Sequence, residues 1–316
     1  MRSFIKSAIF IGLLTLTMLL CACGTSVYMS YWDSDYEILD GEAVSLENIN
    51  EIEICWARGD VHILAGDGDG LVIGETYLRK NTPAESELAR YRISDGKLTI
   101  QFCAPKTVVS HLEKDLTVSL PQSLAASLSE ITVEVATGDI NIVSVSADTV
   151  DIDAASGSVS MQSVSARDIE LDLAATSLSF EGVTATRRIK INSASAMLRM
   201  ADTKTEAFEV KAASCDLDFE GSLSAVELDV TSMKAKFTLP DGTLSDFDGD
   251  FTNGEITLYL PEAFDGFEAD VDGFANSFSS DFSTEKRDEE YIYGNGRAAI
   301  SMEGVIGKLD IRKILN

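Results

Sequence analysis

Histidine is nearly absent from this chain, basic residues are few, and no apolar run is long enough to span a bilayer. Each shortage removes a class of function. The two histidines, His62 and His111, form no His-Glu-x-x-His pair, and there is no Gly-x-Ser-x-Gly and no phosphate-cradling glycine loop. Metallopeptidase, serine-hydrolase and nucleotide chemistries therefore lack their usual residues. His62, between Val61 and Ile63, reads as an exposed strand residue, and His111 falls in the polar stretch Ser110 to Glu113. Against 52 acidic residues stand 25 basic ones, a formal net charge of −27, with no basic patch. Nucleic-acid binding needs clustered Lys and Arg for phosphate contact and counterion release, so it is excluded as a partner class. Such a body also repels anionic lipid headgroups and leaves cations or basic partners open. The longest apolar run, Ala8 to Leu20 behind Arg2 and Lys6, is short of the roughly 20 residues of a membrane-spanning helix. It suits the core of a signal peptide, and an uncleaved signal anchor is the alternative.

What is present is a repeat. An apolar couplet recurs every nineteen or twenty residues: Ile140/Ile142, Val159/Met161, Leu178/Phe180, Leu198/Met200, Leu217/Phe219, Phe237/Leu239 and Ile256/Leu258. A second couplet precedes each: Ile131/Val133, Val150/Ile152, Ile169/Leu171, Ile189/Ile191, Phe208/Val210 and Leu228/Val230. Period-2 spacing marks half-buried strands, and two strands per repeat predict an all-β solenoid, a single-stranded parallel β-helix. One coil cannot bury its apolar side alone, whereas stacked coils share a core. The expected organisation is a leader at 1–22, a membrane tether at 23–45 containing Tyr28, Tyr31, Trp32 and Tyr36, a β-rich cap at 46–125, solenoid repeats at 126–261 and a second cap at 262–316. Phe264, Phe267, Phe274, Phe278 and Phe282 are expected to fill that last cap. Thr82-Pro83-Ala84-Glu85 predicts a short helix over 83–90.

The leader ends in Leu20-Cys21-Ala22-Cys23-Gly24, which resembles a bacterial lipobox, with Cys23 as the modified residue. The resemblance implies cleavage before Cys23 and lipidation of its thiol. Several acyl chains anchor stably, since each buried methylene is worth about 0.8 kcal/mol. Removing residues 1–22 deletes two basic groups and no acidic ones, so the charge moves from −27 to −29. The rest of the chain then lies outside the cytoplasm, held to the membrane by lipid. Cys55, Cys103 and Cys215 remain, an odd number that leaves at least one thiol unpaired. Cys55 and Cys103 end two strand-like runs and could pair if those strands are neighbours. Cys215 occupies a column of small residues, Gly138, Gly157, Thr176, Ala196, Ala235 and Gly254, and reads as a buried structural thiol.

The outward positions form two further columns. Thr132, Asp151, Glu170, Lys190, Glu209, Asp229 and Asp248 lie within the couplets of the Ile131/Val133 series or at its equivalent place, and Glu134, Asp153, Asp172, Asn192, Lys211, Thr231 and Asp250 follow them. Asp151, Asp153, Glu170 and Asp172 are the candidate binding face. Like charges on strands about 4.8 Å apart are tolerable at a wet surface. Beside the couplets of the Ile140/Ile142 series, Ser158, Ser160, Ser177 and Ser179 suggest a flat hydroxyl face suited to a glycan or a protein. The turn Gly66-Asp67-Gly68-Asp69-Gly70 lacks the glutamate and full ligand set of an EF-hand loop, so no metal site and no cofactor are assigned.

Asp115-Leu116-Thr117-Val118-Ser119-Leu120-Pro121, followed by Ala136-Thr137-Gly138-Asp139-Ile140-Asn141-Ile142 and Ala155-Ser156-Gly157-Ser158-Val159-Ser160-Met161, resembles a bacterial adhesin-like family with β-strand repeats. Asn253-Gly254-Glu255-Ile256 and Tyr293-Gly294-Asn295-Gly296-Arg297 are similar to its closing segment. The resemblance covers roughly residues 46–316 and implies a β-helix, an envelope location and no catalytic residues. Thr176, Ala196, Cys215 and Ala235 stand where that family usually has glycine, which predicts altered turns there. Two functions fit: a surface that binds or adheres to an envelope protein or glycan, or an accessory component of an envelope-stress system. A β-helical polysaccharide-active enzyme is disfavoured, because about six residues per connection leave little wall for a cleft.

Overall fold

The computed structural model describes residues 36–39, 43–44, 49–78, 82–273, 275–288 and 290–315. The leader, Cys23, Tyr28, Tyr31, Trp32 and Phe274 lie outside the described residues. The described residues form two compact all-β units, one of those from 36 to 147 with 151–157, the other of those at 148–150 and from 158 to 315.

In the first unit the strands are β1 (Glu37–Ile38), β2 (Ala43–Val44), β3 (Glu51–Arg58), β4 (Val61–Gly66), β5 (Leu71–Tyr77), β6 (Arg90–Ser94), β7 (Lys97–Gln101), β8 (Lys114–Pro121), β9 (Leu128–Thr137) and β10 (Ile140–Val143). β11 (Ser146–Gln162) straddles the division. β3 pairs in parallel with both β7 and β9, so Ile54 stands opposite Ile100 and Val133. β4 pairs in parallel with β8 and β10, setting Ile63 against Val118 and Ile142. All six side chains are fully buried, each worth about 1.5–3 kcal/mol of apolar transfer. The rungs of this ladder are thus out of chain order, with 51–66 between 97–121 and 130–143. Segment 46–125, expected as a cap, supplies two rungs of the ladder itself. Antiparallel strands cover them, β6 on β7 and β5 on β8, with β1 on β6 and β2 on β5.

The second unit contains β12 (Ser165–Glu181), β13 (Thr184–Ser222), β14 (Ala225–Thr238), β15 (Asp246–Leu260), β16 (Gly266–Asp272), β17 (Ala275–Ser280), β18 (Glu285–Arg287), β19 (Glu290–Gly294) and β20 (Ala298–Lys313). Parallel pairing joins β12 to β13, β13 to β14, β14 to β15 and β15 to β20. β16 and β17 then pair in parallel with β20. Here too a rung is inserted out of order, 298–313 between 246–260 and 266–280. Inside, Phe208, Phe219, Phe237 and Phe247 pack with ring centroids 5.5–6.3 Å apart. Such aromatic pairs add about 0.5–1.5 kcal/mol beyond their area.

Three expectations are corrected. Phe219 pairs with Phe237 and Phe208 with Val226, so the sixth couplets are Val226/Leu228 and Ala235/Phe237, two residues earlier than the sequence suggested. Only Leu223 and Ser224 separate β13 from β14, whereas the turn through Pro240 and Gly242 lengthens the next connection. Met233, rather than Ala235, follows Cys215 in the small-residue column. The helix expected at 83–90 is a single 3-10 turn, Glu85–Glu87, closed by Glu87 accepting from the Ala84 amide at 2.8 Å. It ends because Leu88 is extended and the Ala89 amide donates to Glu75 across the sheet. Cys55 and Cys103 form no disulfide with each other, since Cys55 lies opposite Gln101 rather than Cys103.

Candidate functional site

The candidate acids are best followed unit by unit. In the first, Asp151 and Asp153 flank fully buried Ile152 on β11 and are half-buried. In the second, Glu170 is ion-paired with Arg188 and lies 3.6 Å from Lys190, while Asp172 accepts from Asn192 Nδ2 at 2.7 Å. Arg188 also reaches Glu209 at 3.8 Å. Beside them Asp168 accepts from Arg187 at 2.6 Å and Arg167 at 3.1 Å. Burial alone would raise the Asp168 pKa, but those two guanidinium hydrogen bonds outweigh it and hold the carboxyl below its ordinary value. This end of the acidic face is substantially neutralised.

The acid excess lies further along. The corrected register aligns Glu209, Glu227 and Asp248 in one row and Lys211, Asp229 and Asp250 in the next. Glu227 and Asp229 thus take the places expected for Asp229 and Thr231. Lys211 reaches Glu227 at 3.3 Å. Burial and the neighbouring Asp246, Glu227 and Asp250 raise the Asp248 pKa.

The hydroxyl face extends less far than the serines suggested. Ser177 and Ser179 pair with Met197 and Arg199. In later rungs the same arm carries Asp216 and Asp218 opposite Lys234 and Lys236, and then Glu255 opposite Lys308. Arg199 meets Asp216 at 3.1 Å, Lys236 meets Asp218 at 3.2 Å and Lys308 meets Glu255 at 3.3 Å. These are exposed pairs, each worth about 0–1 kcal/mol, so they set rung-to-rung order more than stability. Where the two arms meet, a trough of about 500 Å³ runs past Thr176, Ala196, Met197, Cys215 and Met233. The Cys215 thiol at its floor is pushed up to about 12 by burial, with Asp216 adding to the shift, which makes it inert at neutral pH.

A feature with no sequence signal sits in the first unit. Lys114 is fully buried, its Nζ 2.6 Å from Glu75 Oε2 and donating to the Glu87 carbonyl at 2.7 Å. Trp56, Tyr77 and Phe102 surround the ammonium at 4.7–5.2 Å from their ring centroids. Trp56 Nε1 donates to the Lys114 carbonyl at 2.8 Å. Burial pushes the Lys114 pKa down, and Glu75 pulls it back. The nearby Cys103 thiol is raised to about 11 by burial. A nucleophile sealed in this way has no route to substrate, and the cluster reads as a polar plug. His62 is half-buried on β4, and His111 Nε2 lies 2.9 Å from Glu87 Oε1. Among the described residues no group of three His, Cys, Asp or Glu side chains could hold a metal ion.

One corner links this geometry to a family. Gly59 and Gly138 adopt φ of +107° and +146°, and a Cβ on Gly138 would stand 2.0 Å from the Gly59 carbonyl oxygen. Just after them, Asp115 accepts from the Asp60 amide and Asp60 from the Asp139 amide, both at 2.9 Å. The Gly-Asp dipeptide is therefore a stacking corner: glycine admits the neighbouring backbone and aspartate ties each rung to the next. The Toastrack DUF4097 family model matches residues 49–296. The chain belongs to the Toastrack DUF4097 family. This Toastrack chain matches no curated protein. It is similar to solved structures of candidate adhesins from Parabacteroides distasonis (13% identity, 89% of this chain and 98% of that one, TM-score 0.41) and Bacteroides fragilis (12%, 86% and 95%, TM-score 0.42). A third, from Parabacteroides merdae, shows 12% identity over 87% and 96% of the two chains, with TM-score 0.29.

Proposed function

We propose that this Toastrack protein is a non-catalytic cell-envelope lipoprotein, tethered through lipidated Cys23, whose parallel ladder is a single-stranded β-helix. It presents its outer faces, including Asp151, Asp153, Glu170 and Asp172, for adhesion to an envelope protein or surface glycan. The observation that carries this reading is how the side chains are spent: apolar groups fill the interior, while ordered charged and hydroxyl rows line open sheet faces. The titratable cluster around Lys114 is sealed within the first unit. The leader and lipobox residues support export, and the adhesin-like relatives agree with the class of function.

Two measurements test the reading. Metabolic labelling with radioactive palmitate in the native cells should mark the chain and lose the mark in Cys23→Ala. Beads coated with the chain should attach to intact cells of the same bacterium, and reversing Asp151, Asp153, Glu170 and Asp172 to Lys should lower attachment with circular dichroism unchanged. Attachment unaffected by all four reversals would defeat the proposed face.

A further inference from the structure

The last rung of the second unit is finished on one arm and unfinished on the other. On the first arm, β19 covers the outer side of β16 and β18 covers β19, both antiparallel. The exposed edge that results is β18, whose Glu285, Lys286 and Arg287 are all charged, a standard way to blunt a strand edge. On the second arm, β17 pairs with β20, and no described strand pairs with its other side. Its six residues, Ala275-Asn276-Ser277-Phe278-Ser279-Ser280, include no charge and no proline. Nothing in that sequence blunts the edge.

Beside this edge is an aromatic shelf. Phe278 stands opposite buried Leu309 and so points inward, and its ring stacks on Tyr291 of β19 at 4.1 Å between centroids. Tyr291 and Tyr293 are placed inward by pairing with Ala269 and Phe267, which are fully buried. Nevertheless Phe278, Tyr291 and Tyr293 are all only half-buried. These inward rings are left half open, and among the described residues β19 has no counterpart on the second arm. The surroundings select the charge of a guest. Residues 262–313, which include the paired strand β20 with its Lys308, Arg312 and Lys313, carry twelve acidic side chains and six basic ones, a net acidic balance. A second copy of this chain would bring like charge to like charge.

We propose that the outer edge of β17 receives an extended cationic segment of a partner protein as an added β-strand. Its backbone continues the ladder, alternate apolar residues rest on Phe278 and Tyr291, and its Lys and Arg residues answer the acidic surroundings. The proposal rests on the reading of this chain as a binding protein but uses a different surface from the acid rows tested on cells.

The test uses the full chain and a fluorescein-labelled eight-residue peptide of alternating Val and Lys. Fluorescence anisotropy should show saturable binding, weakened at least about tenfold by a central proline in the peptide at unchanged charge. Ser277→Pro in the chain should weaken it similarly, and hydrogen exchange should slow at residues 275–280 of the unaltered chain when peptide is added. Should Ser277→Pro fail to fold, the proline peptide and the exchange pattern still decide. Equal binding of the proline peptide would reduce the effect to charge adsorption and overturn the proposal. So would absence of binding, exchange unchanged at 275–280, or a dimer of the chain that protects those amides without peptide. Any of these leaves the cell-attachment result standing on its own.

Discussion

The corner between the two arms is built differently in the two units. In the first, Gly59, Gly138 and Gly157 all have positive φ and stack carbonyl against α-carbon, with an aspartate ladder fastening Asp115, Asp60 and Asp139. In the second, the positions paired in the same column hold Thr176, Ala196, Cys215 and Met233 before glycine returns at Gly254 and Gly307, and the strands run on through them. The corner opens into the trough, and Thr176 Oγ1 and Ser193 Oγ are left buried with no partner among the described residues. Glycine corners let rungs nest tightly and fix their register. Side-chain corners trade that closure for surface. The first unit has the opposite burden: its close corner brings Gly59 against the carbonyl of Lys114, whose charge must then be satisfied inside.

The sharpest way to break this contrast is at the plug. Glu75→Ala leaves the Lys114 ammonium buried without its counter-charge, and the expected loss is about 3–5 kcal/mol of the first unit's unfolding free energy. Urea denaturation followed through Trp56 fluorescence, in a Trp32→Phe background, measures it. Replacing the pair together, Glu75→Leu with Lys114→Met, should recover most of that loss, because well-packed apolar groups need no charge partner. A double variant as unstable as Glu75→Ala alone would show that packing around the aromatic rings, rather than the unpaired charge, sets the cost.

Next in size is an exchange of the corners themselves. Gly138→Ala forces a Cβ to within 2.0 Å of the Gly59 carbonyl oxygen at a φ of +146°, and about 2–3 kcal/mol should be lost. The reciprocal Ala196→Gly adds only backbone freedom, at about 1 kcal/mol. Hydrogen exchange read by mass spectrometry, peptide by peptide, compares the two. Equal effects would mean that the glycine column is a local habit of the sequence and not a structural requirement.

Much of this frame was legible because the signals repeat. Period-2 couplets gave the strands, the Gly-Asp corners gave the turns, and the column around Cys215 gave its burial. Four features were not. A register shift of two residues preserves which side chains face inward, so Leu228/Val230 and Val226/Leu228 are equally good couplets until the strands are paired. The inserted rungs leave no local trace either, because an apolar alternation does not say which rung it will lie against. The plug fails for the same reason: Lys114 opens an ordinary strand, and its partners Glu75 and Trp56 are 39 and 58 residues away. Of the candidate face, the acids were legible but their neutralisation was not, since Arg188 meets Glu170 only through the parallel pairing of β12 and β13.

The smallest expected effect lies on the floor of the open corner. Cys215→Ala removes one sulfur from a position whose neighbour in the column is Ala196, and at pH 7 it should cost about 1 kcal/mol. The informative quantity is its pH dependence. In the folded chain the Cys215 thiol is raised to about 12 by burial, from an ordinary thiol value of 9.0. Between those values the folded state keeps a proton that the unfolded state has released. Stability contributed by this group is therefore fully present below pH 9 and falls as pH rises toward 12, by up to about 1.4 kcal/mol per pH unit. The gap between unaltered chain and Cys215→Ala should shrink, and then reverse, as urea midpoints are followed from pH 8 to pH 10.5. Cys55 and Cys103 titrate alike in both proteins and cancel in the difference. A gap constant over that range would place Cys215 in contact with water, and the trough would then reach deeper than its lining suggests.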